Sequence, residues 1–161
     1  MKDFDKTKLW LGLQLEDSTA RILVHQSSYT QKVLERFAFD KAYPSKTPMI
    51  RRSLQQDKDP FMPKEEGEEI LGPEFPYLSV VGELMYLANC TRPDIAFAVN
   101  FLARYSSEPT NRHWKGIKDV FRYLQGTKDL GLSYRRNKDL SLVGYADAGY
   151  LPDPHTSKSQ T

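Results

Sequence analysis

The first forty residues combine an alternating apolar pattern with a helical one. Apolar side chains occupy alternate positions from Leu9 to Leu15, which is typical of a half-buried strand. A polar, turn-prone stretch follows, and Arg21–His25 resumes a β-branched run, so the two segments predict a β-hairpin. Four apolar residues then recur at helical spacing and predict a helix: Tyr29, Val33, Leu34 and Phe37. We therefore expect a hairpin and a helix within residues 1–41.

Residues 42–75 have a different character. Five prolines interrupt them, and proline removes a backbone donor and disfavours helix at the residue before it. Between Gln55 and Phe75 there are seven acids and two lysines, a net charge of −5. The stretch 42–75 therefore predicts an exposed acidic linker without regular structure.

Three amphipathic helices are predicted in residues 76–128. The first has the apolar stripe Leu78, Val81, Leu84, Met85 and Ala88. The second follows Thr91-Arg92-Pro93-Asp94, which resembles a capping box with proline in the first turn, and its face contains Ile95, Val99, Leu102 and Ala103. The third ends near Gly126 and its face contains Trp114, Ile117, Val120, Phe121 and Leu124. Short connections between them favour a small bundle.

The last part of the chain returns to strands. Gly131–Arg135 and Leu140–Ala146 predict two strands joined by the polar turn Arg136–Asp139. The fold class expected from the whole pattern is α+β. Its four parts are a hairpin and helix at 1–41, a linker at 42–75, a three-helix bundle at 76–128 and a β-hairpin at 129–161.

Composition narrows the class of protein. Of 161 residues, 39% are hydrophobic and 12% aromatic, which is ample for a core. Cys90 is the single cysteine, so neither an intrachain disulfide nor a cysteine-based zinc site can form. The charged N-terminus lacks the apolar segment of a secretion signal, and no apolar run approaches the ~20 residues that span a bilayer. We expect a soluble intracellular protein, cytoplasmic or nuclear, with no membrane partner.

A basic row on the third helix is the first candidate site. From Phe101 to Lys138 nine bases outnumber three acids, a net charge of +6. Lys115, Lys118 and Arg122 follow i, i+3, i+7 spacing on a face away from the apolar stripe, and Arg112 extends the row. Cations at this spacing on a rigid helix suit the phosphates of a nucleic-acid duplex. An ordinary solvated helix face has the same pattern.

Other chemistry-bearing residues give weaker signals. His25, His113 and His155 each lack a second ligand at metal spacing, which favours structural or surface roles. Asp147 ends an apolar strand, a position where carboxylates often hold Mg²⁺. Two-metal phosphodiester chemistry needs several converging acids, and the nearby Asp153 cannot complete such a set.

Three segments in order resemble the Ty1/copia class of retrotransposon reverse transcriptases: residues 77–99, His113-Trp114, and residues 122–132. Their most specific parts are Thr91-Arg92-Pro93-Asp94 and Arg122-Tyr123-Leu124-x-Gly126-Thr127. Upstream, Leu11-Gly12-Leu13 and Thr47-Pro48-Met49 are similar to the segment that precedes these motifs in the family. Tyr145-Ala146-Asp147-Ala148-Gly149-Tyr150 resembles the start of the family's ribonuclease H domain.

The resemblance implies a role for each part. The N-terminal hairpin would be the end of the polymerase palm beside the primer end, and the three helices would be the thumb that holds the template–primer. The last strands would open the ribonuclease H fold, and Asp147 would match the first metal-binding aspartate of that domain. Mg²⁺ is implied for the complete family enzyme. The implied partners are an RNA–DNA or DNA duplex and the rest of a Pol polyprotein.

The chain departs from the family where chemistry would occur. No Asp-Asp pair occurs in the sequence, and the remaining ribonuclease H acids would lie beyond Thr161. Asp147-Ala148-Gly149-Tyr150 stands where the family more often has Asp-Ala-Asp-Trp. We therefore expect a fragment that is not itself an enzyme, holds no cofactor, and retains at most duplex binding through Arg112, Lys115, Lys118 and Arg122.

Two alternatives stay open. The first is a stand-alone domesticated or effector-like protein that acts by protein interaction. The Arg-x-Leu-Arg motif of some secreted effectors is missing, since the nearest string, Arg52-Ser53-Leu54-Gln55, fails at its last position. The second is a functionless relic whose product scarcely folds.

Overall fold

The computed structural model describes residues 8–53, 55–136, 143–146 and 155. Two short 3₁₀ turns lie at Gln56–Lys58 and Pro93–Ile95. The strands are β1 (Leu9–Trp10), β2 (Leu13–Asp17), β3 (Arg21–His25) and β4 (Gly131–Arg135). The helices are α1 (Ser27–Arg36), α2 (Tyr77–Cys90), α3 (Ala96–Ala103) and α4 (Asn111–Gly126). The described part of the chain is therefore α+β, as the sequence predicts.

The four strands form one antiparallel sheet in the order β1-β2-β3-β4. A two-residue turn joins β1 to β2, and both of its residues have positive φ, 49° at Leu11 and 81° at Gly12. Positive φ at both turn positions matches the right-handed twist of a tight hairpin, although leucine adopts it less readily than glycine. The predicted N-terminal hairpin is confirmed, with Gln14 opposite His25 and Asp17 opposite Ile22.

The C-terminal hairpin is not confirmed. Gly131–Arg135 is a strand, but its partner is β3, with Gly131 opposite His25 and Arg135 opposite Arg21. Of the predicted strand Leu140–Ala146, only residues 143–146 are described, and these form no strand. The physical reason is that β3 offers a free row of backbone donors and acceptors on the side away from β2.

The core lies between the helices and includes one side chain from residues 42–75. Helices α2, α3 and α4 pack together, and α1 joins them through Val33 and Leu34. The best-buried apolar side chains in the helices are Val80, Leu84, Leu87, Val99, Leu102, Ile117, Val120, Phe121 and Leu124. Leu78, predicted to belong to the α2 stripe, is instead 70% exposed, because the buried arc of α2 is centred on Val80, Leu84 and Leu87.

For residues 42–75 the structure agrees with the predicted lack of regular structure and disagrees with the predicted exposure. Residues 42–75 contain no helix beyond one 3₁₀ turn and no strand among the described residues, but they are not simply exposed. Phe61 and Asp59 are almost completely buried. Arg52 reaches Asp59 at 2.5 Å and covers the ring of Phe101 at 3.7 Å, and His155 lies 3.0 Å from the same carboxylate. Burial by itself would raise the pKa of Asp59, but the hydrogen bonds from Arg52, the Phe61 amide and His155 outweigh it and hold the pKa below its usual value.

Candidate nucleic-acid interface

Helix α4 has one face that belongs to the core. Its side chains are completely buried and contact the neighbouring helices: His113, Ile117, Val120, Phe121 and Leu124. Gly116 lies on the same face, where an added Cβ would be 2.8 Å from Leu102 and 2.9 Å from Phe61. Glycine therefore lets Phe61 pack directly against the helix.

The start of α4 is fixed by a capping box that the sequence reading missed. The Thr110 side chain accepts the amide of His113, and the Thr110 amide donates to His113 Nδ1 at 3.0 Å. Because Nδ1 is the acceptor, Nε2 carries the hydrogen and donates to the Met62 carbonyl at 3.2 Å. Burial lowers the pKa of His113, which keeps the ring neutral in this role. A glutamate or glutamine normally supplies this contact, so a histidine gives no familiar signal.

The predicted capping box at Thr91-Arg92-Pro93-Asp94 is wrong. Thr91 ends α2 and its hydroxyl donates to Gln26 Oε1 at 2.9 Å, so it is not free to cap the next helix. Proline does occupy the first turn that follows, but the residue before it makes no side-chain cap. The threonine instead attaches the end of α2 to the start of α1.

The outer face of α4 carries the predicted basic row. Lys115 and Arg122 are exposed and Lys118 is half-buried. At 1.5 Å per residue, Lys115 and Arg122 are about 10 Å apart along the helix axis. A duplex has one phosphate per ~3.4 Å of axis on each strand, so the row can meet several phosphates. Lys115 and Lys118 make no hydrogen bond or ion pair with any other described side chain.

Arg122 is the second exposed cation of the row, and its charge is partly neutralised. Its guanidinium lies 3.1 Å from Asp119 on the same helix, with the arginine side chain 46% exposed. Such an exposed i, i+3 ion pair contributes little to stability, so another anion can easily replace Asp119 as the partner of Arg122. Between Arg122 and the linker is a shallow cleft of about 330 Å³, lined by Ile50, Pro60, Phe61, Arg112, Lys115, Asp119 and Arg122.

Arg112 differs from the rest of the row because carboxylates already bind it. Its Nε lies 2.9 Å from Glu68 Oε1, and its terminal nitrogen lies 2.9 Å from Glu68 Oε2 and 3.0 Å from Glu65 Oε2. Burial alone would raise the pKa of Glu68, but the Arg112 hydrogen bonds outweigh it and leave that pKa below its usual value. The structure thus brings Lys115, Lys118 and Arg122 to one accessible face and places Arg112 in an internal ion-pair cluster.

A second arginine is buried at the centre of a cluster that we call the arginine clamp: Arg92, Asp94, Tyr123 and Thr127. Arg92 is 1% exposed and binds Asp94 through two nitrogens, at 3.0 and 2.8 Å. It also donates to the Thr127 carbonyl at 2.9 Å and to the Thr127 hydroxyl at 2.7 Å. The Tyr123 hydroxyl completes the clamp by donating to Asp94 Oδ2 at 2.8 Å. The clamp ties the α2–α3 junction to the C-terminal end of α4.

The remaining predicted site residues have separate outcomes. Asp147 and Asp153 lie outside the described residues, so the match of Asp147 to a metal-binding aspartate stays a prediction. Within the described ranges, no three His, Cys, Asp or Glu side chains are grouped so that they could hold a metal ion. Those same ranges contain no helix that is long and apolar enough to cross a bilayer.

Comparison with known proteins decides the relationship. The chain is 36% identical, in an alignment of 164 positions that covers its whole length, to the retrovirus-related Pol polyprotein from transposon TNT 1-94 of Nicotiana tabacum. It is 32% identical over 162 residues to the putative transposon Ty5-1 protein YCL074W of Saccharomyces cerevisiae. The chain belongs with the retrovirus-related Pol polyproteins of transposons. The relationship inferred from its motifs is therefore confirmed.

The chain corresponds to only part of the proteins that it matches. It spans 12% of the tobacco polyprotein and 50% of the yeast protein. An 84-residue stretch, 52% of the chain, is also 46% identical to the secreted RxLR effector protein 161 of Plasmopara viticola and covers 59% of that protein. No family model matches the chain. No solved structure matches it either.

Proposed function

We propose that this chain is the C-terminal part of a copia-type reverse transcriptase, joined to the start of a ribonuclease H segment. In this proposal helices α2, α3 and α4 form a thumb-like bundle that holds the template–primer duplex. The hairpin of β2 and β3 would be the end of the palm. The observation that carries the proposal is the accessible row of Lys115, Lys118 and Arg122 on a helix whose opposite face is fixed in the core.

The proposed contact is with the sugar–phosphate backbone and not with the bases. Lysine and arginine side chains neutralise phosphates and displace condensed counterions, which gives affinity without sequence preference. The outer face of α4 offers three cations in line, and the neighbours Ile50 and Pro60 have no side-chain hydrogen-bonding group with which to read base edges. Binding that depends on salt and is indifferent to sequence is the expected behaviour.

The proposal includes no chemistry by this chain alone. The sequence has no adjacent aspartate pair, and two-metal phosphoryl transfer needs several carboxylates at one place. Polymerisation and RNA cleavage would therefore belong to the longer polyprotein, with Mg²⁺ held by acids that this chain does not supply. The role left to this chain is to bind and orient the duplex.

The test is fluorescence anisotropy with a labelled RNA–DNA hybrid at two salt concentrations, on protein shown to unfold cooperatively. The triple variant Lys115→Ala/Lys118→Ala/Arg122→Ala should bind at least about tenfold more weakly and lower the salt slope by about 2 to 3. Because all three side chains point away from the core, the stability of the variant should change little.

A matched control removes the same charge elsewhere. Arg21, Lys32 and Arg135 are exposed on the sheet and on α1. Their triple alanine variant should keep most of the hybrid affinity. Equal losses in the two triple variants would mean that general charge, and not the α4 row, attracts the duplex.

A second candidate function rests on the similarity to an effector protein. The 84-residue match to the Plasmopara viticola protein shows that a similar segment occurs in a protein of another kind. On this alternative the chain is a stand-alone module that acts by protein interaction. A cooperatively folded chain that does not bind the hybrid at low salt would favour the module over the thumb. A chain without cooperative unfolding would favour a functionless relic.

A further inference from the structure

Arg112 is the member of the basic row that carboxylates from outside α4 bind, whereas Arg122 pairs only with Asp119 on its own helix. Glu68 binds it with both carboxylate oxygens and Glu65 adds a third oxygen, all within 3.0 Å. Guanidinium groups bind phosphate in this same bidentate manner. Three carboxylate oxygens therefore sit where a phosphate group of a duplex would bind Arg112.

Residues 65–69, which we call the acidic segment, are held in place on both sides. On one side Phe61 is buried against α4, and on the other the Leu71 amide donates to the Pro109 carbonyl at 2.8 Å. The Glu65 amide also donates to Glu68 Oε2 at 3.2 Å, which orients that carboxylate. A short tethered segment has a high effective concentration at its target, so it competes well with an external ligand.

We propose that residues 65–68 are an internal competitor for the duplex, covering Arg112 with carboxylates until phosphates displace them. The inference rests on the proposed function of the α4 row. It predicts that the chain binds a duplex through Lys115, Lys118 and Arg122 first, and that Arg112 adds its contact only when the acidic segment leaves. The ligand that displaces the segment is a polyanionic backbone.

A purely structural cluster would behave differently. If Glu65 and Glu68 only anchor the linker, their removal lowers stability and leaves Arg112 without effect on the duplex. If they compete, their removal exposes one more cation to phosphate. The same segment contains the control, because Glu66 and Glu69 are exposed and bind no other described side chain.

The experiment compares two double variants with equal loss of charge, Glu65→Ala/Glu68→Ala and Glu66→Ala/Glu69→Ala, in the full chain. Binding to a labelled RNA–DNA hybrid is measured by anisotropy over a salt series. Release of Arg112 should make the first variant bind at least about threefold more tightly than the second and steepen its salt slope by about 0.9, the amount for one phosphate.

Arg112→Ala identifies the source of the gain. In the unaltered chain this substitution should weaken hybrid binding less than it does in Glu65→Ala/Glu68→Ala, because there the carboxylates of Glu65 and Glu68 compete with phosphate for Arg112. Added to Glu65→Ala/Glu68→Ala, it should return affinity to the level of the control double variant. If Glu65→Ala/Glu68→Ala unfolds, Glu65→Gln/Glu68→Gln replaces it, because glutamine keeps the size of the side chain and removes its charge. This variant should also bind the hybrid more tightly than the control, by a smaller factor.

The outcomes separate this inference from the proposed function. Equal affinities and salt slopes in the two double variants overturn the internal competitor while hybrid binding by the α4 row stands. Failure of every variant to bind the hybrid overturns both. Binding by Glu65→Ala/Glu68→Ala alone supports a competitor strong enough to block the unaltered chain.

Discussion

The arginine clamp, at the C-terminal end of α4, and the basic row, on its outer face, differ in what surrounds their arginines. In the arginine clamp, the guanidinium of Arg92 is buried and every partner comes from the chain itself. In the basic row, Lys115 and Arg122 face solvent. The first arrangement leaves nothing to offer a ligand, whereas the second leaves its cations available.

The residues that make the family resemblance recognisable are therefore mostly not the residues proposed to bind the duplex. The most specific motifs of the chain, Thr91-Arg92-Pro93-Asp94 and residues 122–127, supply the clamp, so in this chain they hold the fold together. The cations of the basic row, Arg122 apart, lie outside these motifs and share their spacing with many solvated helices. The specific motifs of this chain therefore mark residues that hold the fold, and not the accessible cations of the row.

Breaking the clamp should produce the largest effect. Asp94→Asn leaves the buried charge of Arg92 without its carboxylate, which should lower the free energy of unfolding by about 3 kcal/mol. Asp129→Asn, at an exposed position near the same end of α4, should change it by less than about 0.5 kcal/mol. Denaturant titration of both variants measures the difference, and equal values would show that the clamp is not structural.

The clamp should also give an acid dependence with a known sign. Burial would raise the pKa of Asp94, but the hydrogen bonds from Arg92 and Tyr123 outweigh it and hold the pKa below its usual value. A depressed folded-state pKa contributes stability above about pH 4 that is lost as the pH falls toward the folded value. The loss of stability below about pH 4 should therefore be smaller in Asp94→Asn than in the unaltered chain.

Filling the inner face of α4 should have an intermediate effect. Gly116→Ala places a Cβ against Leu102 and Phe61 at less than 3 Å, so it should cost about 2 kcal/mol despite the better helix propensity of alanine. Gly82→Ala in α2 is the matched control, because nothing lies within 4 Å of its added Cβ. That control should gain up to about 1 kcal/mol. A stabilising Gly116→Ala would contradict the packing of Phe61 on the helix.

The smallest effect is expected at the start of α4. Burial depresses the pKa of His113, so its neutral form contributes stability above about pH 6.5 that is lost as the pH falls below that value. His113→Gln keeps an acceptor for the Thr110 amide and should cost less than about 1 kcal/mol near pH 7.5. Between about pH 7 and pH 5 its stability should fall less than that of the unaltered chain. Identical pH profiles would show that His113 is not buried as a neutral ring.

Local pattern predicted the elements well because helix and strand periodicity are properties of neighbouring residues. The i, i+3, i+7 spacing likewise placed Lys115, Lys118 and Arg122 on one face before any contact was known. Residues far apart in the chain were not predictable in this way. The pairing of β4 with β3 joins residues 131–135 to residues 21–25, and the composition of neither strand predicts its partner.

The linker shows a second limit. The prolines and acids of residues 42–75 predict that the whole stretch is exposed. The fold nevertheless buries Phe61, and it buries Asp59, whose charge Arg52 neutralises. The partners of Arg112 were missed for the same reason, because acids in the linker were interpreted as solvated charge. Net charge over a segment does not reveal which single carboxylate meets which cation.

The β3–β4 pairing decides where the polypeptide can be cut. A recombinant fragment that stopped at residue 128, soon after α4, would omit β4 and leave one backbone edge of β3 unsatisfied. Such an exposed edge is a template for association with other chains. Gly131 also lets β4 approach closely, since a Cβ there would lie 2.5 Å from the Val24 carbonyl. An expression boundary chosen from the helices alone would therefore remove the strand that covers β3, whereas a fragment that keeps residues through Arg136 retains the β3–β4 pairing.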